Sequence, residues 1–222
     1  MTPTRRQKRN KPLFEIDMKQ KNGLLIVVSG PAGSGKGTVL ADLIKDENYK
    51  YSVSATTRAP RPGEVDGVNY HFLTRESFEA RIAHGEMLEW TEYCGNYYGT
   101  PKKEAEEVLA SGCNLLLEIE VEGACNVKRE YPQAVTIMLL PPSFAVQEAR
   151  LRGRGTESEE KILARLSQTR NELARVGAYD YVVYNYDGMA AETAADIRAI
   201  VRAEGRAMRR QGDVSRKYFE GE

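Results

Sequence analysis

Five apolar residues in a row, Leu24-Leu25-Ile26-Val27-Val28, run almost directly into a glycine-rich turn, Gly30-Pro31-Ala32-Gly33-Ser34-Gly35-Lys36-Gly37-Thr38. A short β-rich run bounded by glycines reads as a strand buried on both faces, the mark of a parallel sheet. A helix is expected from Lys36 to about Lys45. Strand, glycine turn and helix in that order form the context in which a loop cradles phosphate. Glycines let the chain wrap so that successive N–H groups point inward at phosphate oxygens. The helix N-terminus adds the positive end of its dipole. Lys36 adds a full charge that can follow a transferring phosphoryl group.

The rest of the chain repeats the strand–helix alternation. Tyr51 to Thr57, Leu115 to Val121, Val135 to Leu140 and Tyr181 to Tyr184 read as further strands. Helical patterns cover about 143–151, 158–175 and 189–210. Alternation of this kind means βαβ units around a parallel sheet, so the expected class is α/β. Residues 58 to about 112 have a different texture, rich in Arg, Pro, Gly, Tyr and Trp. They read as an insert forming a small mixed α/β lobe. A short helix from Phe78 to Ala83 stops at Gly85. A second begins at Thr100-Pro101, with Thr100 as cap and Pro101 in the first helical position, and ends at Gly112.

Composition sets outer limits. At 222 residues the chain suits one large domain or a domain with an insert, against roughly 100–200 residues per domain. Lys+Arg and Asp+Glu both number 32, which removes the whole-chain argument for nucleic-acid binding. No stretch approaches the ~20 apolar residues of a membrane span. Cys94, Cys113 and Cys125 show no C-x-x-C spacing and read as reduced thiols of a cytoplasmic protein. His71 and His84 leave a zinc site short of ligands and give a Ser-His-Asp hydrolase no supporting motif. Residues 1–22 are basic without an apolar core, which reads as a solvated arm rather than a secretory signal. Residues 204–222 read as a basic extension past the folded core.

The turn departs in one place from the usual phosphate-loop spelling. Gly37 stands where a hydroxyl would normally bind Mg²⁺, and Thr38 follows one residue later. This G-K-G-T spelling resembles the adenylate-kinase type of nucleoside monophosphate kinase. A second resemblance is more specific. The segment Ser52-Val53-Ser54-Ala55-Thr56-Thr57-Arg58-Ala59-Pro60-Arg61-Pro62-Gly63-Glu64-Val65-Asp66-Gly67-Val68-Asn69-Tyr70 resembles the monophosphate-binding signature of guanylate kinases. Glu89-Trp90, Gly95-Asn96-Tyr97-Tyr98-Gly99-Thr100, Leu117 to Gly123 and Arg150-Leu151-Arg152-Gly153-Arg154-Gly155 fall in family order at family spacing. The resemblance covers about 23–203. It implies a three-layer P-loop kinase fold with a core, a GMP-binding insert over about 58–112 and a mobile lid over about 150–160. It also implies transfer of phosphoryl from ATP, with Mg²⁺, to GMP.

The same resemblance distributes roles. Gly30 to Thr38 would hold the ATP phosphates, with Asn185 on the adenine side. Glu89 would read the N1 and N2 donors of guanine, and Ser54 and Thr100 would supply hydroxyls. Arg58, Arg61, Tyr70 and Tyr98 would hold the GMP phosphate. Lys36, Arg150, Arg154 and Arg165 would screen the two polyanions and stabilise charge in transfer. Glu118 and Glu120, two apart on one strand and so on one side of it, would meet GMP or the waters of Mg²⁺. Two other functions use the same core: a phosphopeptide-binding module of this fold, and a ribose-phosphate kinase. The intact glycine set and Lys36 argue against the first. The guanine-reading pair Glu89 and Thr100 argues against the second.

Overall fold

The computed structural model describes residues 23–93, 95–153, 155 and 158–220. The basic arm over 1–22 and Arg154 lie outside the described residues. The apolar run forms β1 (Leu25–Ser29), with all five residues buried. The glycine turn follows, and then α1 (Lys36–Leu43). Next come β2 (Tyr49–Tyr51), β3 (Ala55–Thr56) and β4 (His71–Phe72). Helix α2 (Arg75–Ala83) is capped by the side chain of Thr74, which accepts from Ser77 N at 3.2 Å. A hairpin of β5 (Met87–Tyr93) and β6 (Asn96–Pro101) leads to α3 (Lys102–Ala110). The alternation then resumes with β7 (Asn114–Glu118), α4 (Val121–Glu130), β8 (Val135–Leu140) and α5 (Phe144–Gly153). It ends with α6 (Glu159–Leu173), β9 (Tyr181–Tyr184), α7 (Ala190–Glu204) and α8 (Val214–Glu220).

Two sheets result. The central one has strand order β2-β7-β1-β8-β9 with every pairing parallel. Successive side chains on a strand point to opposite faces, and here both faces are covered. Ile26, Val28, Leu116, Ile137 and Leu139 share a core with Val39, Leu40 and Leu43 of α1 and Ile197 of α7. Leu25, Val27, Leu115 and Leu117 share the other with Ala105 of α3 and Ala124 and Val127 of α4. Burial on both sides is why β1 reads as an unbroken apolar run. Each such side chain contributes about 1.5–3 kcal/mol. The second sheet, β4-β3-β6-β5, is mixed: β3 and β4 are parallel, while β6 runs antiparallel to β3 and β5.

Four local expectations are revised. The stretch Tyr51 to Thr57 is two strands in two sheets, not one. Ser52 N still bonds Leu116 O of the central sheet, whereas Ser54 O accepts from His71 N of the other, so the chain changes sheet between them. The strand expected to reach Val121 stops at Glu118. Val121, Ala124 and Val127 recur every third residue and are buried as one face of α4. Helix α3 begins one residue later than expected, with Pro101 as its N-cap and no side-chain cap. The last long helix ends at Glu204 rather than 210. Beyond it the chain folds back: Arg209 and Arg210 pair with Glu204, and Arg210 Nη2 donates to Gln133 O at 2.7 Å.

Candidate active site

The phosphate loop leaves the carboxyl end of β1 between β7 and β8, where open α/β sheets place ligands. Its shape is set from behind. Gly35 caps α1 with φ +87°, and a Cβ there would fall 2.2 Å from Asn185 Nδ2. Only glycine fits both the dihedral and the space. Asn185, expected on the adenine side, turns its side chain inward instead. It is 5% exposed, and its Nδ2 donates to the Ser34 carbonyl at 2.8 Å. Thr193 of α7 shares its hydroxyl proton between Met189 O at 2.8 Å and Asn185 Oδ1 at 3.2 Å, so a helix end meets the loop through one amide. Pro31, Gly33 and Ser34 are buried; Ala32 packs on the small core of Leu151, Ile162 and Leu166. Lys36 Nζ donates to the Gly30 carbonyl. Gly37 and Thr38 are exposed on the first turn of α1.

Two of the expected lid arginines can be placed. Arg150 donates to Gly33 O at 3.1 Å and to Asn185 O at 2.8 Å, and pairs with Asp187 at 2.7 Å. It therefore touches the loop directly. Arg165 lies on the exposed side of α6.

A cleft of about 210 Å³ opens beside the loop, between the two sheets. Ser54, Arg58, Arg61, Tyr70, Glu89, Tyr98, Glu118 and Glu120 all line it. Residues spread over 67 positions of sequence thus meet in one cleft. Thr100 sits beneath the surface, and its Oγ1 donates to Glu89 Oε1 at 2.8 Å. A register shift between Met87 and Glu89 explains how Glu89 turns in. At the bulge Leu88 and Glu89 are both buried, where a regular strand would turn one outward. Leu88 joins the core and Glu89 faces the cleft. Gly99 lets the strands close: a Cβ there would fall 2.6 Å from Glu89 O. Glu120 departs from expectation. It is the N-cap residue of α4 and is exposed, so it does not share a strand side with Glu118.

The electrostatics divide the cleft. Desolvation pushes the Glu89 carboxyl up to about 7, against the lowering effect of its Thr100 hydrogen bonds. In the same cleft Arg58 pairs with Glu64 at 2.9 Å and lies over the Tyr70 ring, 5.4 Å from its centroid. The Glu64 hydrogen bond raises Arg58, which stays fully cationic. Glu64 Oε2 also accepts from Arg61 N at 2.7 Å. A carboxylate thus occupies donors of both Arg58 and Arg61. The larger hollow of about 500 Å³ lies off the cleft and mixes Arg81, Lys102 and Lys103 with Glu86, Glu104 and Glu106. Its mixed charge selects no anion.

Comparison with known proteins agrees with this geometry. The guanylate kinase family model matches residues 22–204. A guanylate kinase of Halalkalibacterium halodurans is 55% identical over 189 residues, 84% of this chain and 91% of that protein. One from Carboxydothermus hydrogenoformans is 49% identical over 184 residues, covering 82% and 89%. The chain belongs to the guanylate kinase family. The crystal structure of guanylate kinase from Anaplasma phagocytophilum superposes with a TM-score of 0.72 at 34% identity, over 91% of this chain and 98% of that one. Every residue of the loop and the cleft described above falls inside the guanylate kinase match. Three side chains of the site were not singled out by sequence. Glu64 could have been, as the acid inside an arginine-rich turn. Thr193 and Tyr51, which donates to Glu118 Oε2 at 2.9 Å, carry no local signal because their partners are 8 and 67 residues away.

Proposed function

We propose that the chain transfers the γ-phosphoryl of ATP to GMP, giving ADP and GDP, and accepts dGMP as well, in the cytoplasm. The observation that carries this reading is the cleft itself. It pairs a buried, hydroxyl-supported carboxylate with an arginine end, beside a phosphate loop. Glu89 accepts from the guanine N1 and N2 donors, while Ser54 serves O6; Thr100 fixes Glu89. Adenine would leave the Glu89 charge unpaired, and rejection of that kind reaches about 10⁴–10⁵-fold. Arg58, Arg61, Tyr70 and Tyr98 take the GMP phosphate, which displaces Glu64 from Arg58. The insert over about 58–112 is the GMP lobe, and 150–160 is the lid.

ATP phosphates bind Gly30 to Thr38 and the N-terminus of α1. Lys36 leaves the Gly30 carbonyl to follow the transferring group. Arg150, Arg154 and Arg165 add charge as the lid closes. The nucleophile is already an anionic phosphate oxygen, so no general base is needed; positioning and electrostatics carry the rate. Magnesium fits the site through the nucleotide rather than through a protein cage. Among the described residues no cluster of three or more His, Cys, Asp or Glu forms a metal nest, and nothing lies within 4 Å of a Cβ at Gly37. Mg²⁺ commonly keeps its waters and substrate phosphates as ligands, so Glu120 would hold those waters, while Glu118 would contact GMP. When bound, the ion neutralises β- and γ-phosphate charge.

Nucleoside diphosphate formation from ATP and Mg²⁺ tests the reading, with GMP, AMP, CMP and UMP in parallel. GMP alone should turn over, and Lys36→Ala should abolish it. Glu89→Ala should remove the preference for GMP. Turnover of none of the four would refute the assignment.

A further inference from the structure

Glu118 and Glu120 both line the cleft, but only one of them is held. Glu118 ends β7 and pairs across the central sheet with Val28 of β1, the strand that carries the phosphate loop. Glu120 is exposed at the start of α4 and makes no side-chain cap. The difference lies in Tyr51. On the edge strand β2, Tyr51 stands opposite Leu116 in parallel register. Side chains two apart share a face, so the phenol reaches forward along that face to Glu118. Its Oη donates to Glu118 Oε2 at 2.9 Å. Burial and the Glu118 charge push the phenol far above its ordinary value, so it remains a donor at any working pH.

We propose that Tyr51 is a positioning residue of the monophosphate site: its hydroxyl fixes one oxygen of Glu118 and leaves the other for the nucleotide. Both residues belong to the central sheet. The carboxylate is therefore registered to the phosphate loop and not to the insert that carries most of the cleft. Part of the Tyr51 ring is open to solvent while its hydroxyl is desolvated beside Glu118, so the hydroxyl contributes orientation rather than core packing. A carboxylate that lost it would rotate freely, and the cleft would hold GMP with one contact poorly placed. This inference rests on the GMP reading of Glu118 given above.

Tyr51→Phe, Glu118→Ala and the double variant test it, each read as KM for GMP, KM for ATP, kcat and melting temperature. Tyr51→Phe should raise KM for GMP about tenfold, the lower end of what a hydrogen bond to a charged group contributes. KM for ATP should move by less than about twofold, the scatter of independent sites. In the Glu118→Ala background Tyr51→Phe should add no further loss, because the group it acts through is gone. A normal KM for GMP in Tyr51→Phe, or the same loss in both backgrounds, would overturn the inference while leaving Glu118 in place. If Glu118→Ala itself leaves KM for GMP unchanged, the role of Glu118 falls and the inference falls with it. An equal rise in both KM values with a lowered melting temperature would mark Tyr51 as structural and refute positioning.

Discussion

Glu89 shows how far one residue's chemistry depends on its surroundings. It is 6% exposed, and desolvation lifts its carboxyl from an ordinary 4.5 to about 7. Reading guanine through Glu89, as proposed, needs the ionised form. Between pH 8 and pH 6.5 the fraction ionised drops about fourfold on a pKa near 7, so KM for GMP should rise about as much. Glu89→Gln should flatten that rise, since GMP's own phosphate titrates lower, near about 6. Initial-rate kinetics across this window check it. Stability runs the other way. A carboxyl raised in the folded state stabilises most below pH 4.5, and the advantage is lost as pH climbs through about 7. Glu89→Gln should therefore melt higher than the parent at pH 8 and level with it at pH 4. Calorimetry giving equal melting temperatures at both would contradict a buried carboxylate.

At the scale of elements, helix α7 supports the site from one end without touching substrate and clasps the fold at the other. The first turn of α7 supplies Thr193, which holds Asn185, which holds Ser34 O. Thr193→Val removes the donor but keeps the shape. It should raise KM for ATP about fivefold, one ordinary hydrogen bond, and leave KM for GMP alone. The C-terminal end of α7 does something different. Burial alone would raise the Glu204 carboxyl, but donors from Tyr181, Arg209 and Arg210 outweigh it and hold it near 2. A carboxyl lowered in the folded state stabilises above its ordinary 4.5, and the gain is lost as pH falls toward 2. Glu204→Gln should lower the melting temperature by about 5 °C at pH 7, with the gap narrowing as pH falls below 4. Thermal scans at pH 7, 4 and 2.5 measure the gap; one that does not change with pH would mean the clasp is not ionic.

Across the whole molecule the two anions have to meet between separate pieces of structure. The phosphate loop hangs from the central sheet, while Arg58, Tyr70, Glu89 and Tyr98 hang from the second sheet or its loops. Phosphoryl transfer in an open, wet cleft would let water compete. The insert and the lid should therefore swing inward when both substrates bind. Small-angle scattering should show a smaller radius of gyration with GMP plus a non-hydrolysable ATP analogue than with either alone. Identical profiles in all states would sink the closure. Among the described residues no helix is long and apolar enough to cross a membrane.

The sequence by itself determined the elements whose signals are local. The apolar run of β1 needs burial on both faces, and the glycines of the loop can take backbone shapes that other residues resist. The motifs in family order also named eight of the residues that line the cleft. Tertiary structure decided what depends on partners far along the chain. It split Tyr51 to Thr57 between two sheets, because strand identity is set by whom the backbone bonds. It ended β7 at Glu118 and separated the two glutamates, because α4 buries Val121 and Ala124. It turned Asn185 into a support of the loop and made Thr100 the partner of Glu89 rather than a helix cap. In each case the residue's type was readable in sequence, but its hydrogen-bond partner was not. Such a bond forms only when the fold brings donor and acceptor within about 3 Å.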